Sequence, residues 1–339
     1  MDILLLERLV PEAHAWLEER HRLVSRLDLA NDASAARKAL YNAAAVVLPR
    51  KLPVTREMLD FAPVLKAVAR MQAGGDNTDL EACRERKVRV IQATTANVRA
   101  NAEYLLASLL LLFRRGLGAT MGGDHHSELR PGRELLGSTI GIFGLAPAAH
   151  TLAPLLHGMG VKLIGYDPAI HSTAPIWGKL QIHPVSLQEL LSQADGISVQ
   201  VMFASRYQGF INDKMLSHCK RGQLWVGISR SQIFDPPAFA RALMDGRIEA
   251  AMLDGADSAF AARGSPLYEL SNLFLTPRLG SYTTESRVRA SWYVAHRLHE
   301  ALTGQDSSGG IGGDTGPMEL DGPVSTLGPL SGPGSLGER

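Results

Sequence analysis

The stretch STIGIFGLAPAAHTLAPLLHGMGVKLIGYDP, at residues 138–168, decides the fold. The apolar, β-branched run Thr139–Phe143 predicts a short strand, Gly144 predicts a tight turn, and a helical pattern follows within a few residues. A second apolar run then ends at Asp167. This order of strand, turn, helix and strand is the start of a βαβ unit. In dinucleotide-binding folds, the small turn and the helix N-terminus approach the pyrophosphate.

The dinucleotide motif itself is altered. Gly144, Ala146 and Ala149 occupy the three glycine positions of the G-x-G-x-x-G template. Alanine is tolerated at the third position, but Ala146 places a methyl group where the backbone should meet phosphate. Pro147 removes an N–H, although proline suits a first helical turn. Asp167, about 20 residues further on, is placed to accept a hydrogen bond from an adenosine ribose and to repel a 2′-phosphate, which favours NAD over NADP. A βαβ unit with an empty crevice is the alternative.

Composition limits the partners and the compartment. A chain of 339 residues is expected to form two domains, and a net charge of +1 predicts neither nucleic acid nor a membrane surface as a partner. Cys83 and Cys219 have no metal-binding or disulfide pattern around them, so buried thiols and no metal site are predicted. The N-terminus lacks the features of a signal peptide and no apolar run reaches about 18 residues, so a cytoplasmic location is expected.

Alternating apolar runs and helical patterns predict parallel sheets covered by helices along most of the chain. Among them are a strand at 196–202 and a terminal helix at 283–302 that could return to the first domain. The long, largely apolar helix at 97–115 favours burial on more than one face, as at a domain or subunit interface. After residue 303 the sequence is rich in Gly, Pro and Ser, which predicts a disordered tail.

Five blocks of the sequence together resemble the D-2-hydroxyacid dehydrogenase family. They occur in the family's order and spacing: AGGDNTDLEA at 73–82, NVRANAE at 97–103, ELLGSTIGIFGL at 134–145, the run from GFINDK to AAMLD at 209–254, and LTPRLGS at 275–281. The resemblance implies two Rossmann-like or flavodoxin-like parallel-sheet domains with a cleft between them. Residues 1–100 plus 283–303 would form the substrate domain, 101–282 the NAD-binding domain, and 304–339 the disordered tail.

The resemblance also implies hydride transfer between NAD(H) and C2 of a 2-hydroxy or 2-keto acid, with Arg, His and Glu as the chemical groups. The arginine matches Arg230. The histidine is replaced by Arg278, and the glutamate position holds Ala259. An arginine stays protonated and offers no acceptor, so Arg278 cannot cycle a proton, but it could bind a second anionic group. Asp257 could approach through a shifted loop, and Tyr282 is the phenol that could replace the proton donor.

Further positions carry over from the family. Ala73 and Gly74 match the loop amides that hold a substrate carboxylate, and Asn97 and Asp254 match cofactor-side positions, with Asp254 near the nicotinamide amide. The family's habit of dimerising through the helix that matches 97–115 implies a homodimer. His296 and His299 on the terminal helix are interpreted as solvent-facing.

Two functions are compatible with this pattern. The first is an NAD(H)-dependent oxidoreductase that acts on a small anionic substrate with an altered acid–base group. The second is a catalytically inactive member that serves as an NAD(H)-sensing or partner-binding dimer. The combined substitutions at 146, 259 and 278 favour the second function, whereas the intact frame favours the first, so whether the chain is an enzyme stays open.

Overall fold

Two parallel sheets, each with helices on both faces, form the protein, in agreement with the predicted α/β class. The computed structural model describes residues 2–72, 77–115 and 131–304. The first sheet has the spatial order β2-β1-β3-β4-β5. Its strands are β1 Asp2–Leu5, β2 Arg22–Ser25, β3 Ala45–Val47, β4 Ala67–Arg70 and β5 Arg89–Gln92, and its helices are α1 Pro11–Glu18, α2 Ala33–Ala39, α3 Arg56–Asp60 and α4 Leu80–Glu85.

The second sheet contains seven strands in the order β12-β11-β10-β9-β6-β7-β8. These strands are β6 Thr139–Phe143, β7 Lys162–Tyr166, β8 His183–Pro184, β9 Gly196–Val199, β10 Gln223–Gly227, β11 Ile248–Asp254 and β12 Leu273–Thr276. The helices after β5 are α5 Val98–Phe113, α6 Pro147–Gly158, α7 Pro175–Lys179, α8 Leu187–Gln193, α9 Asp213–Leu216, α10 Pro236–Met244 and α11 Thr284–Thr303.

Each sheet is sandwiched between two apolar cores, because its central strands are buried on both faces. Every residue of β3, Ala45–Val47, is fully buried, as is Trp225 on β10. Cys83 and Cys219 are buried free thiols as predicted, and burial raises the pKa of Cys83 to about 11 and that of Cys219 to about 12. In the described part of the chain, no helix is both long and apolar enough to span a bilayer.

The strand order places one crevice in each sheet. Ligands of open α/β sheets bind at the carboxyl edge where the strand order reverses. In the first sheet the reversal lies between β1 and β3, and in the second it lies between β6 and β9. Candidate ligand-binding residues are therefore expected at these two carboxyl edges.

Helices α5 and α11 join the parts of the chain that are distant in sequence. Side chains of α11, including Val294 and Leu298, belong to the same core as β1 and α1, so the terminal helix does return to the first sheet. Helix α5 packs against α6 through side chains such as Leu105 and Leu109. Much of its apolar surface is thus used within the chain, although Leu111 is 39% exposed. The domain boundaries and the homodimer remain predictions.

Several sequence-based bounds need correction. The strand predicted at 196–202 ends at Val199. Beyond Val199, the backbone N–H of Gln200 still donates to the carbonyl of Phe143 on β6. The carbonyl of Val201, however, accepts a hydrogen bond from the Ser229 hydroxyl, so the chain leaves the sheet there. Strands β2 and β8 and helices α2 and α4 were not predicted. The predicted tail lies outside the described residues after Gly304, which caps α11 with a left-handed backbone (φ +73°).

Candidate active site

The turn after β6 requires glycine at its first position. Gly144 has φ +95°, and a Cβ there would lie 2.5 Å from the backbone nitrogen of Val201, which follows β9. The turn thus closes against the neighbouring strand of the switch point, and any side chain would collide with backbone. This is the geometry of a dinucleotide turn, in which the chain approaches the ligand closely.

Ala146, in contrast, does not need to be glycine. It is the N-cap of α6 with φ −58° and ψ 160°, which any residue adopts, and its side chain makes no capping hydrogen bond. Pro147 occupies the first helical position, where its missing N–H costs nothing. Ala149 is fully buried against the core. The helix N-terminus is therefore left without a side-chain cap at the crevice, as phosphate binding requires.

Asp167 connects the second strand to the turn. One carboxylate oxygen accepts the N–H of Leu145 at 2.7 Å, and the other accepts the N–H of Ala169 at 2.7 Å. Since each oxygen can accept two hydrogen bonds, a ribose hydroxyl can still be bound. Asp167 thus holds the Gly144 turn in addition to its predicted role toward the cofactor.

A buried acceptor also lies beside this turn. Gln200 is 2% exposed and donates from Nε2 to the Ser198 hydroxyl at 3.0 Å. Its Oε1 is buried and has no hydrogen-bond partner within the described residues. A buried orphan acceptor is costly unless a ligand supplies the donor. The glycine turn, the uncapped helix and this acceptor together fit a bound dinucleotide.

Three arginines that follow strands of the two sheets act on one another through their charges. Arg230 follows β10, Arg278 follows β12 and Arg50 follows β3 of the other sheet. Burial together with the charges of Arg278 and Arg230 lowers the pKa of Arg50, against the opposing effect of Asp257. Burial also lowers the pKa of Arg230, which Asp257 opposes and Arg278 reinforces. Three guanidinium groups therefore share one neighbourhood, and Asp257 is the acid that acts on two of them.

Asp257 is held by a reciprocal contact. The Ser231 hydroxyl donates to the carboxylate of Asp257 at 2.7 Å, and the N–H of Asp257 donates back to the same hydroxyl at 3.1 Å. The loop thus brings an acid next to Arg230, two residues before Ala259. Asp257 partly neutralises the arginines, whereas the family's glutamate position carries no charge.

The position of Arg278 depends on Gly255 and on the buried Asp254. Its backbone is left-handed (φ +62°), and a Cβ on Gly255 would lie 3.0 Å from its Cγ, so the side chain lies along Gly255. Asp254 is 7% exposed and accepts hydrogen bonds from the N–H groups of Leu279 at 2.7 Å and Gly280 at 2.9 Å.

Asp254 also accepts from the Thr276 hydroxyl at 2.5 Å, and that hydroxyl contacts the Tyr104 hydroxyl of α5 at 2.8 Å. The carboxylate thereby ties the whole 276–280 turn to the end of β11. Its family role near the nicotinamide stays a prediction, but its role in positioning Arg278 follows from these contacts.

Tyr282 lies at the exposed rim of this region. It is 65% exposed, and the Arg287 guanidinium carbon is 5.6 Å from the centre of its ring. Its predicted role as a proton donor stays a prediction. Asn97 is the N-cap of α5, and its side chain is not used for capping. Ala73 and Gly74 lie outside the described residues.

The first sheet contributes residues that sequence reasoning missed. Arg70 is 2% exposed and donates to the carbonyls of Pro49 at 3.1 Å and Leu52 at 2.8 Å, which fixes the loop that carries Arg50. Glu7, which follows β1, acts on Arg70 through its charge. Burial raises the pKa of Glu7 to about 7 against the opposing charges of Arg287 and Arg70. Both Arg50 and Glu7 follow buried strands, which is the signal that could have found them.

The two histidines of the terminal helix are not solvent-facing as predicted. His296 lies 4.4 Å from the Trp16 ring, centre to centre, and His299 contacts His21 at 2.9 Å between ring nitrogens. Burial lowers the pKa of both His21 and His296. These contacts join α11 to α1 and lie outside the cluster of arginines, so they supply no replacement for the imidazole.

The fold and the crevice define an NAD-binding α/β protein with a charged cleft, and comparison with known proteins agrees. The family model for the D-isomer specific 2-hydroxyacid dehydrogenase NAD-binding domain matches residues 108–280. The chain belongs to this family, and its cofactor is NAD(H).

Two curated relatives illustrate the relationship. The D-3-phosphoglycerate dehydrogenase of Mycobacterium bovis is 34% identical over 273 residues, which covers 79% of this chain and 51% of that protein. The chain thus spans about half the length of such relatives. The (S)-sulfolactate dehydrogenase of Chromohalobacter salexigens is 29% identical over 304 residues, covering 89% of this chain and 98% of that one. A solved structure of a Thermus thermophilus protein superimposes with a TM-score of 0.78 at 27% identity, covering 90% and 97% of the two chains.

Proposed function

We propose that this protein transfers a hydride between NAD(H) and C2 of a 2-hydroxy or 2-keto acid that carries a second anionic group. The observation that supports this proposal is the mutual electrostatic effect of Arg50, Arg230 and Arg278, together with the charge of Asp257. The charges of Arg230 and Arg278 both disfavour the protonated form of Arg50. A cluster of this kind is suited to a dianion, because like charges held together in a partly buried site repel each other and a ligand of opposite charge relieves that repulsion.

The positions of the arginines suggest how such a ligand is shared. Arg230 and Arg278 follow strands of the second sheet, whereas Arg50 follows a strand of the first. A ligand with two anionic ends can therefore bridge the sheets. Guanidinium groups bind carboxylate, phosphate and sulfonate through paired N–H donors, so Arg230 suits the acid's carboxylate and Arg278 and Arg50 suit the second group.

The names of the relatives agree with a dianionic ligand. Phosphoglycerate carries a phosphate and sulfolactate a sulfonate besides the carboxylate. When bound, NAD(H) supplies or accepts the hydride. Asp167, Gln200 and the uncapped N-terminus of α6 would hold it in the crevice of the second sheet, while Arg230 would polarise the carbonyl of the acid.

The test compares acids that differ only in the second charge. With NAD⁺, we expect kcat/KM for D-3-phosphoglycerate or (S)-sulfolactate to exceed that for D-lactate about 100-fold, since a charged hydrogen bond contributes about 1.5–3 kcal/mol. Arg278→Ala should remove most of this preference while the NADH dissociation constant changes little. Arg22→Ala, at an exposed arginine of β2, is the matched control. Equal rates for all three acids would contradict the proposal.

A second candidate function rests on the residues at 259 and 278. With alanine and arginine in place of an acid and an imidazole, the protein would bind NAD(H) and an anion without turnover, as a sensor or partner-binding dimer. Restoring both groups in an Arg278→His, Ala259→Glu variant distinguishes the candidates. Turnover in this variant alone, with none in the unmodified protein, would favour the inactive member. Sedimentation of an α5 variant, Leu111→Glu, would test the proposed dimer, since that side chain is exposed.

A further inference from the structure

An aromatic ring on the loop after β9 lies against the arginine that suits the acid's carboxylate. The guanidinium carbon of Arg230 lies over the ring of Phe203, 5.6 Å from its centre. A guanidinium within about 6 Å of an aromatic face is attracted by the negative charge of that face. Strands β9 and β10 are neighbours in the second sheet, with Val199 beside Gly227, so both residues leave the sheet at the same carboxyl edge.

The backbone on either side of Arg230 is fixed by hydrogen bonds. The Ser229 hydroxyl donates to the carbonyl of Val201 at 3.0 Å, which ties the end of β10 to the loop that carries Phe203. On the other side, the buried Ser231 donates from its hydroxyl to Asp257 at 2.7 Å. The main chain at 230 therefore has a defined position, and the direction of the long side chain depends on its own contacts.

The charges around Arg230 act in opposing directions. Arg278 and Arg50 repel its guanidinium, whereas Asp257 attracts it. An acid that paired with the guanidinium would use N–H donors that an anionic ligand needs. The face of Phe203 attracts the cation without accepting a hydrogen bond from the in-plane N–H groups. The ring contact can therefore persist while the guanidinium binds a carboxylate.

We propose that Phe203 is a positioning residue, which orients Arg230 toward the carboxylate of the 2-hydroxy or 2-keto acid. This proposal rests on the proposed function and adds to it a residue outside the five sequence blocks that carry the family resemblance. Without the ring, Arg230 would follow the repulsion of the other arginines. The affinity for monoanionic and dianionic acids should then fall equally, because both kinds of acid share the carboxylate that Arg230 suits.

The first test observes the ring contact directly and needs no turnover. Arginine labelled with nitrogen-15 is incorporated, and Arg230→Lys identifies the Nε–H signal of Arg230 in the NMR spectrum. We expect the proton of that signal to lie at lower frequency in the unmodified protein than in Phe203→Leu, because a proton over an aromatic face is shielded. Coincident signals in the two proteins would overturn the proposal.

The second test measures binding of two 2-keto acids by calorimetry in the presence of NAD⁺. The acids are pyruvate and the keto acid that corresponds to sulfolactate. Phe203→Leu should weaken both about 10-fold, as expected for loss of a partly buried cation–π contact. The ratio between the two affinities should not change, in contrast to Arg278→Ala. The NADH dissociation constant should also stay the same, since the Gly144 turn and the N-terminus of α6 are unaltered.

Fluorinated phenylalanines at position 203 separate the charge of the ring from its size. Each added fluorine withdraws negative charge from the ring face, so the affinity for both acids should fall stepwise with the number of fluorines. Phe203→Trp should retain the affinity, because indole attracts cations best. Phe61→Leu is the matched control. It removes a ring from a similar pair, with the guanidinium carbon of Arg37 4.5 Å from the ring centre, beside α2 and α3.

The outcomes separate the two proposals. Unchanged affinities in Phe203→Leu, or affinities independent of fluorination, would overturn the role of Phe203 and leave the proposed function standing. Binding of the acids without turnover, weakened by Phe203→Leu, would support the positioning of Arg230 and contradict hydride transfer. A lack of acid binding in the unmodified protein would overturn both proposals.

Discussion

The two carboxyl edges of this molecule differ in what they are made of. The crevice of the second sheet is built from backbone and small side chains, namely the Gly144 turn and the uncapped N-terminus of α6, and it is held by Asp167. The carboxyl edge of the first sheet and its loops concentrate long charged side chains, among them Glu7, Arg50 and Arg70. The frame for the cofactor is thus built mainly from backbone, whereas the edge of the first sheet is built mainly from charged side chains.

The difference indicates where such a chain can change. A dinucleotide turn depends on backbone positions that few residues can occupy, so substitutions there are limited to ones like Ala146, whose dihedral angles are ordinary. Anion and proton chemistry depends on side-chain tips, which several backbone positions can supply. An arginine can therefore occupy position 278, where the family resemblance implies a histidine, without disturbing the fold.

Breaking the turn should have the largest effect. In Gly144→Ala, a methyl group 2.5 Å from the Val201 nitrogen adds a collision to an unfavourable left-handed backbone. We expect the free energy of unfolding to fall by about 3–5 kcal/mol, measured in urea. Gly209→Ala is the control, since φ is +62° there but nothing lies within 4 Å of the added Cβ, and about 1 kcal/mol is expected. Equal losses in the two variants would mean that the turn tolerates the collision.

Loosening the turn that carries Arg278 should have the second-largest effect. Asp254→Asn keeps the shape but replaces one acceptor oxygen by an amide group that cannot accept from Leu279 or Gly280. We expect a loss of about 2–3 kcal/mol in unfolding free energy and a weaker affinity for dianionic acids, measured by calorimetry. Asp28→Asn, which alters an exposed ion pair with Arg26, should leave the free energy of unfolding nearly unchanged, because solvent screens such pairs. An unchanged dianion affinity in Asp254→Asn would separate Asp254 from the placement of Arg278.

The pH dependence of stability tests the charged edge. The pKa of Glu7 is raised to about 7, so the folded state binds a proton that the unfolded state releases above its own value of 4.5. The stabilising contribution is complete below about 4.5 and is lost as the pH rises through about 7. The difference in unfolding free energy between Glu7→Gln and the unmodified protein should therefore shift by about 3 kcal/mol in favour of the variant between about pH 4.5 and 8.5. A difference independent of pH would contradict this assignment.

Removing the methyl group at 146 should matter least. Ala146→Gly leaves the backbone angles accessible and removes no capping hydrogen bond. We expect the NADH dissociation constant, measured by energy transfer from tryptophan, to change by less than about 3-fold, or about 0.6 kcal/mol. A gain of tenfold or more would mean that the methyl group keeps the pyrophosphate at a distance.

The sequence predicted those features that depend on neighbours along the chain. The strand that ends at Phe143 and the turn at Gly144 were predicted because apolar periodicity and glycine punctuation are local signals. The two-residue strand β8 was not, since its pairing depends on β7 and not on its own composition.

Site residues could be predicted from the sequence only where they occupy a position of a family motif. Arg230 and Arg278 stood at family positions, whereas Glu7 and Arg50 became candidates only when the strand order placed β1 beside β3. The histidines at 296 and 299 were interpreted as solvent-facing because the terminal helix was considered alone, and the packing of α1 against it was not visible in the sequence.

Hydride transfer itself can be observed with labelled cofactor. The protein is incubated with NADH that carries deuterium at C4 and with the keto acid corresponding to sulfolactate, and the product is analysed by mass spectrometry. We expect one deuterium at C2 of the hydroxy acid, with less label when pyruvate replaces the dianion. Saturable NADH binding without any labelled product would contradict hydride transfer and favour the inactive, NAD(H)-sensing member of the family.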